Sequence, residues 1–404
     1  MVIGIVGAGA SGMVAALAAA ENAENTVLLF ERQARVGRKL LATGNGRCNL
    51  TNLQASAGVY HGNQPSFAEN ALQVFPVEKT LSWFEALGLY SVAEESGRVY
   101  PYSDQANSVV DILRFALQKD NIRVLTGCEV SRVRKDGDVF TLEAEQECFT
   151  CDRLIVACGG LAGTKLGGSM FGYRLLRSFG HSITRLRPAL VQLKSSWNGC
   201  VALKGVRCNC HGTIYHDGVL FAQSQGELQF TEYGLSGPLI FEISRDACHE
   251  KGEWSCVLDF LPQMDRERLK QILLAKRMSN LPGEELFTGI LHNRLGRVLA
   301  AAVGIKSKTP IAALSADDIS AACQAAKGFR VALTEPMGME NAQVTAGGAC
   351  TEEFNSITME SRLIPGLYAC GEVLDIDGDC GGYNLQWAWS SGYLAGQCAG
   401  GGGI

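Results

Sequence analysis

One hexapeptide, Gly7-Ala8-Gly9-Ala10-Ser11-Gly12, constrains the fold of this chain more than any other feature. The apolar run at 2–6 reads as a buried parallel strand, the Ala-rich run at 11–20 as a helix, and 26–30 as a second strand closed by Glu31. In such a βαβ unit Gly7 permits the tight turn, Gly9 lets the backbone approach a pyrophosphate, and Gly12 lets helix and strand pack closely. The helix start, at Ala10 and Ser11, offers unpaired N–H groups and a positive dipole end. Glu31 lies 19 residues after Gly12, where a carboxylate accepts the hydroxyls of an adenosine ribose, and Arg32 follows it. The unit is expected to bind a dinucleotide.

A second element chooses FAD over NAD. A plain dehydrogenase completes its cofactor domain in one stretch, whereas here Gly-rich, strand-like sequence returns near the C-terminus. Pro365-Gly366-Leu367-Tyr368-Ala369-Cys370-Gly371-Glu372 reads as a strand ending in Gly371-Glu372, able to meet an extended flavin. Gly381-Gly382-Tyr383-Asn384-Leu385-Gln386-Trp387 reads as a helix start whose N–H groups stabilise negative charge on a reduced flavin ring. A loop feeding a core helix with packed Trp387 and Trp389 is the competing structural reading.

The run from Gly37 to Asn49 is dense in Gly, Asn and Arg just after the ribose acid. Such glycine density points to close approach to a ligand. Arg38 and Lys39 are expected at the pyrophosphate, and Asn45, Gly46, Arg47, Cys48 and Asn49 along the flavin or substrate. Val130, in a predicted strand at 129–134, and Cys158-Gly159, after the apolar strand at 154–157, are further candidate cofactor contacts. Arg98-Val99-Tyr100-Pro101-Tyr102-Ser103-Asp104 reads equally as an active-site wall or a packed turn. The six histidines are scattered, and a structural role is expected of them.

Helices are expected at 78–87, 108–119, 265–277, 284–303 and 317–327, the last with a Ser315-x-x-Asp318 capping box. Beyond Pro188 the pattern turns to alternation, so the expected division is 1–187 (cofactor domain, first part), 188–262 (β-rich insert), 263–330 (helical insert) and 331–404 (cofactor domain, second part). Residues 399–403 read as a flexible tail. The net charge is −5, but the segment 185–330 holds 18 Lys and Arg against 14 Asp and Glu. That segment either faces a polyanion or shows ordinary scatter on solvated helices. Fifteen cysteines without a basic leader (no Lys or Arg precedes Arg32) are expected to be mostly reduced thiols of a cytoplasmic protein. Cys148-x-x-Cys151 and Cys208-Asn209-Cys210-His211 are read as strand residues rather than redox or zinc motifs, so no metal is expected. No apolar stretch is long enough for a membrane helix.

These motifs resemble the BaiN/YhiN-like family of FAD-dependent oxidoreductases, also described as aminoacetone-oxidase-like. The resemblance rests on GAGASGMVAA from Gly7, GRKLLATGNGRCNLTN from Gly37, GRVYPYSDQA from Gly97, VTAGG from Val344 and GEVLDIDGDCGGYNLQWAWSSG from Gly371, and it spans essentially the whole chain. Asn45 departs from it, since a glycine is expected there in many relatives. The resemblance implies an α/β fold: a glutathione-reductase-type FAD-binding Rossmann domain interrupted by a β-barrel-like and a helical insert. It implies one of three reactions: reduction of a conjugated C=C bond in 3-oxo bile-acid intermediates, reduction of uridine in ribosomal RNA, or oxidation of aminoacetone.

The first is the expectation adopted, with a small-molecule substrate, Tyr383 or Tyr102 as proton donor, and Arg47 and Asn49 polarising the carbonyl. Only one dinucleotide fingerprint exists, so NADH or NADPH is expected as a transient electron donor visiting the open site. RNA is the less favoured partner, and neither a membrane nor a stable partner protein is expected. A flavin-binding regulatory or scaffold protein without turnover is the non-enzymatic alternative, disfavoured by the dense polar 47–49 region.

Overall fold

The computed structural model describes residues 1–144 and 147–402. Its contacts divide into two units, Met1–Pro188 with Ala342–Ile404, and Ala189–Asn341.

In the first unit, strand β1 (Val2–Val6), helix α1 (Ala10–Ala19) and strand β2 (Thr26–Glu31) follow one another as the glycine turn requires. β1 is central in a five-stranded sheet, with Arg153–Val156 and then Leu367–Ala369 on one side and β2 and then Ile122–Thr126 on the other. All four pairings are parallel. A parallel sheet buried on both faces needs apolar side chains throughout its strands, and Ile3, Ile5, Val27, Leu29, Leu154, Ile155 and Val156 are fully buried. Burying each contributes roughly 1.5–3 kcal/mol. An antiparallel meander of Val130–Asp136, Val139–Ala144 and Glu147–Cys151 completes this half.

The C-terminal helix, Tyr383–Ala399, lies against α1. A side chain at Gly392 or Gly396 would meet the backbone of Ser11 or Ala15 at 2.4 and 2.3 Å, so these glycines let the two helices approach closely. Trp387 and Trp389 are buried, and each indole N–H reaches a carbonyl, of Gly371 at 3.1 Å and of Leu50 at 2.8 Å. The expected flexible tail is instead tied down as far as it is described: Gly400 accepts from Asn25 Nδ2 at 2.8 Å, and its N–H bonds Gly396. Gly403 lies outside the described residues.

The second unit is a closed barrel of six strands, Leu193–Ser195, Gly234–Ser236, Val219–Phe230, Arg207–His216, Trp254–Asp259 and Phe329–Pro336, in that order round the barrel. The last strand corrects the sequence reading. Strand-like sequence from Val331 was expected to reopen the cofactor domain, but it pairs with Trp254–Asp259 and Leu193–Ser195, and without it the barrel would keep two open edges. The β-rich segment also carries two short helices, Gly199–Leu203 and Pro238–Ile243.

Helices Arg266–Lys276, Asn293–Ala302 and Ala316–Lys327 complete the unit, and the Ser315–Asp318 capping box is present. The long helix expected over 284–303 is broken. A single 3-10 turn, Gly283–Glu285, precedes a loop with Gly289 at φ +82°, and the helix begins only after His292, whose ring accepts from the Arg294 N–H.

The second unit also removes the charge asymmetry. Residues 189–341 carry 16 Lys and Arg against 16 Asp and Glu, because Arg185 and Arg187 fall outside it and Glu335 and Glu340 fall within it. Among the described residues no helix is long and apolar enough to cross a membrane, and no cluster of His, Cys, Asp and Glu is placed to hold a metal ion. Cys148 is exposed and Cys151 buried at the end of one strand, with both thiols unpaired.

Candidate functional site

The glycine turn is built as its spacing requires. A Cβ at Gly12 would lie 1.8 Å from the Gly7 carbonyl oxygen, and one at Gly7 would lie 2.4 Å from that of Ala157. A Cβ at Gly9 meets nothing within 4 Å. The first and third glycines therefore serve packing within the chain, while the second faces open space in front of α1. The same openness holds at Gly46 and Gly159. Ser11 lies beside Gly371, where a Cβ would approach its Oγ to 2.6 Å, so the N-terminal turn and the C-terminal Gly-Glu step form one wall.

Glu31 is held by two backbone donors, Ala8 N–H at 3.0 Å and Gln33 N–H at 2.8 Å. A carboxylate has about four acceptor sites, so capacity remains for ribose hydroxyls. Gln33 in turn accepts from Arg38 at 2.6 Å, and Arg32 donates to the Gly167 carbonyl at 2.7 Å. Cys128 N–H bonds the Glu31 carbonyl at 3.0 Å, which brings the segment leading to buried Val130 alongside the acid. Lys39 Nζ lies 2.6 Å from Glu372 Oε2, whose other oxygen accepts from Thr345 N–H at 2.8 Å. Cys158 approaches the Val6 carbonyl at 3.4 Å, and burial pushes its thiol up to about 12. Cys48, buried in the Gly-Asn-Arg loop, is likewise pushed up to about 12 by desolvation.

The loop at 43–49 turns on two successive left-handed residues. Gly44 and Asn45 both adopt left-handed conformations, with φ of 57° at Asn45. Asparagine is the residue other than glycine that tolerates that region best.

The C-terminal helix starts at Gly382, in a left-handed conformation that no side chain could share, since a Cβ there would meet the Thr51 carbonyl at 2.5 Å. It would also lie 2.8 Å from Asn49 Oδ1, a buried atom with no hydrogen-bond partner among the described residues. A buried, unpartnered amide oxygen beside a helix N-terminus is the environment that a flavin ring, with its mixed donor and acceptor edge, would complete. The residues present thus fit the cofactor. Asn384 is turned to local structure, accepting from Gly378 N–H at 2.8 Å and donating to its carbonyl at 2.7 Å, and Leu385 is half-buried in the same turn.

The four expected catalytic residues do not form one cluster. Asn49 and Tyr383 lie at the helix start, where buried Tyr60 donates to the Tyr383 carbonyl at 3.0 Å. Arg47 is engaged elsewhere: it bonds Asp104, reaches Glu94 at 3.1 Å and stacks over the Tyr100 ring at 3.9 Å. Tyr102 is 72% exposed, in the turn after the strand Arg98–Pro101. Several residues missed in sequence join the helix start. Thr51 Oγ1 donates to Gln386 at 2.6 Å, Gln386 donates to Thr80 Oγ1 at 2.8 Å, and His61 pairs with Asp379. The alternating Asp375-x-Asp377-x-Asp379 was the one available signal for that last pair.

A Rossmann fingerprint, an acid closing the second strand and a returning Gly-rich helix start define a flavoprotein oxidoreductase with an FAD-binding domain. The chain matches the HI0933-like protein Rossmann domain over residues 1–398 and belongs to that family. It is 40% identical over 98% of both chains to a 3-dehydro-bile acid delta(4,6)-reductase of Clostridium scindens. It is 33% identical to a ribosomal RNA dihydrouridine synthase of Escherichia coli, over 97% of this chain and 96% of that one. A solved 3-ketosteroid delta1-dehydrogenase from Sterolibacterium denitrificans shares the fold over 99% of both chains, with a TM-score of 0.50 at 12% identity.

Proposed function

We propose that this chain is an FAD-dependent reductase of a conjugated C=C bond in a small 3-oxo, bile-acid-like molecule. The observation that carries this reading is the 40% identity, across 98% of both chains, to a protein named for that reaction. The turn at Gly7–Gly12 and the start of α1 would hold the pyrophosphate, Glu31 the ribose, and the Gly382 helix start with Asn49 the flavin ring. When bound, the flavin supplies the hydride, having been reduced by NADH or NADPH. The chain's own part is to orient the enone and hold its carbonyl oxygen as negative charge develops there. The Asn49 Nδ2, beside the helix start, and the Tyr383 hydroxyl, in its first turn, are assigned to that oxygen, with Asn49 Oδ1 left for the flavin ring. Arg47, already neutralised by Asp104 and Glu94, is assigned to shaping the entrance, and Tyr102 to its outer surface.

The test is anaerobic mixing of the reduced protein with a 3-oxo-4,6-diene bile acid and with ribosomal RNA, following flavin reoxidation, and of the oxidised protein with aminoacetone, following flavin bleaching. Fast reoxidation by the bile acid alone supports the reading, and reoxidation only by RNA, or bleaching by aminoacetone without reoxidation by the bile acid, sinks it. A separate mixing of the oxidised protein with NADH and NADPH tests the donor; if neither bleaches the flavin, the nicotinamide role is wrong.

Reduction of uridine in ribosomal RNA is the second reading, favoured by relatives 33% and 32% identical that are named for it. The even charge balance of residues 189–341 weakens it, although within that unit residues 263–308 hold nine Lys and Arg against four Asp and Glu. Steep loss of RNA affinity with added salt would favour this second reading.

A further inference from the structure

The strand pair Tyr60–His61 and Asp377–Gly378 sets His61 opposite Asp377, just before the start of the C-terminal helix. His61 Nε2 lies 2.7 Å from Asp379 Oδ1, with the two side chains 36% and 45% exposed. An exposed pair of this kind ordinarily contributes little and holds no fixed geometry. This one is mounted rigidly from both sides. Asp379 N–H bonds the Val59 carbonyl at 3.1 Å, and its own carbonyl accepts from Asn384, the second residue of the helix, at 3.3 Å. Just past the other strand Gly62 is pressed against Asp375, where a Cβ would lie 2.1 Å from the carbonyl oxygen, and Asn63 N–H reaches the Asp375 carboxylate at 3.2 Å. Tyr60, next to His61, is buried and bonded to Tyr383. The charged and titratable groups around the imidazole are thus Asp375, Asp377, Asp379, Tyr60 and Tyr383.

A carboxylate on one imidazole nitrogen selects the tautomer, orients the ring and stabilises its protonated form, leaving the other nitrogen to exchange a proton with a bound molecule. Nδ1 of His61 carries no hydrogen bond within the described structure. The half-exposed ring stands on the strand paired with the segment that leads into Gly382, the helix start assigned above to the flavin ring.

We propose that His61, oriented by Asp379, is the acid that protonates the carbon of the conjugated C=C bond that adjoins the carbonyl. The inference rests on the enone-reductase reading. Hydride arrives at the β-carbon, the π electrons move onto the carbonyl oxygen, and they return as a C–H bond forms at the α-carbon. The proton comes from the Nδ1–H of the His61 imidazolium, which is left neutral and is reprotonated by water. Asp379 acts through His61 and is a positioning residue.

The test compares wild type, His61→Gln, His61→Ala and Asp379→Asn as flavin-loaded proteins with a 3-oxo-4,6-diene bile acid. General acids contribute about 10²–10⁴-fold, so His61→Gln should lower kcat by about 100-fold or more, with KM within about threefold. Binding of an inert saturated 3-oxo bile acid, flavin content and Tm should be unchanged in every variant. Imidazole in solution should partly restore His61→Ala, and Asp379→Asn should fall between wild type and His61→Gln. Full activity of His61→Gln overturns the role of His61 alone. So does a rate loss accompanied by lost flavin or lost ligand binding and not relieved by imidazole. A wild type that the enone does not reoxidise overturns the function reading and this role together.

Discussion

The Nζ of Lys39 lies 2.6 Å from Oε2 of Glu372, across 333 positions of sequence, and Glu372 Oε1 accepts from the Thr345 N–H at 2.8 Å. One carboxylate therefore ties the loop after Glu31 to the returning C-terminal elements. Replacing Glu372 by Ala leaves an N–H short of its partner and should destabilise by about 1–3 kcal/mol. Replacing Lys39 by Met removes a partly solvated charge and should cost about 0–1 kcal/mol. Urea denaturation of both single variants and the double variant measures this. Equal losses would mean that the ion pair, not the Thr345 bond, carries the junction.

The glycine turn separates folding from cofactor binding. Gly12→Ala places a methyl 1.8 Å from the Gly7 oxygen, so the chain should lose stability, by about 1–3 kcal/mol or more, and lose flavin with it. Gly9→Ala meets nothing within 4 Å. Its apoprotein should unfold at the wild-type temperature while flavin affinity drops at least tenfold. Flavin absorbance after gel filtration, alongside calorimetry of the apoproteins, distinguishes the two. A Gly9→Ala protein that keeps its flavin would place the pyrophosphate elsewhere.

Acid should destabilise the chain in two stages. His181 is buried between Glu353 (3.0 Å to Nδ1) and Ser361 (2.9 Å to Nε2). This is no nucleophile triad, because Ser361 Oγ also accepts from the N–H groups of Leu363 and Ile364. Burial pushes the imidazole below its ordinary value of 6.5, outweighing the opposite pull of Glu353. Below that pH the unfolded chain binds the proton first, so stability declines as pH falls through the window just under 6.5. Burial would raise Glu353, but hydrogen bonds from Ser182 and His181 win and hold it below 4.5. Its contribution is complete above 4.5 and is lost as pH falls further. Urea midpoints across this range should show both stages, and His181→Gln should abolish the upper one only.

The thiols should divide by environment. Cys48, Cys256 and Cys370 are buried, and desolvation pushes each up to about 12, so iodoacetamide at pH 8 should leave them intact in the native protein. Cys148 is exposed, and Cys208 is held below the ordinary thiol range by a hydrogen bond from Cys210, which is itself driven up. Peptide mapping by mass spectrometry should find Cys148 and Cys208 alkylated first. Early loss of Cys48 would mean that the loop opens.

Local sequence carried much of this protein. Residues 2–31 announced strand, glycine turn, helix and second strand, because each depends on neighbours within a few positions and on backbone space that only glycine leaves. The Ser315–Asp318 cap and the Gly382 helix start were legible for the same reason. Tertiary structure decided what depends on distant partners. Phe329–Pro336 has the composition of a Rossmann strand, yet it closes the barrel because the edges of two other barrel strands require it. Arg47 looked like a substrate contact until Asp104, Glu94 and Tyr100 came to surround it. His61 was one of six scattered histidines until a two-residue strand set it beside Asp379. Periodicity and turn chemistry are written in adjacent residues, whereas the partner of a charged side chain is chosen by chain segments that meet only on folding.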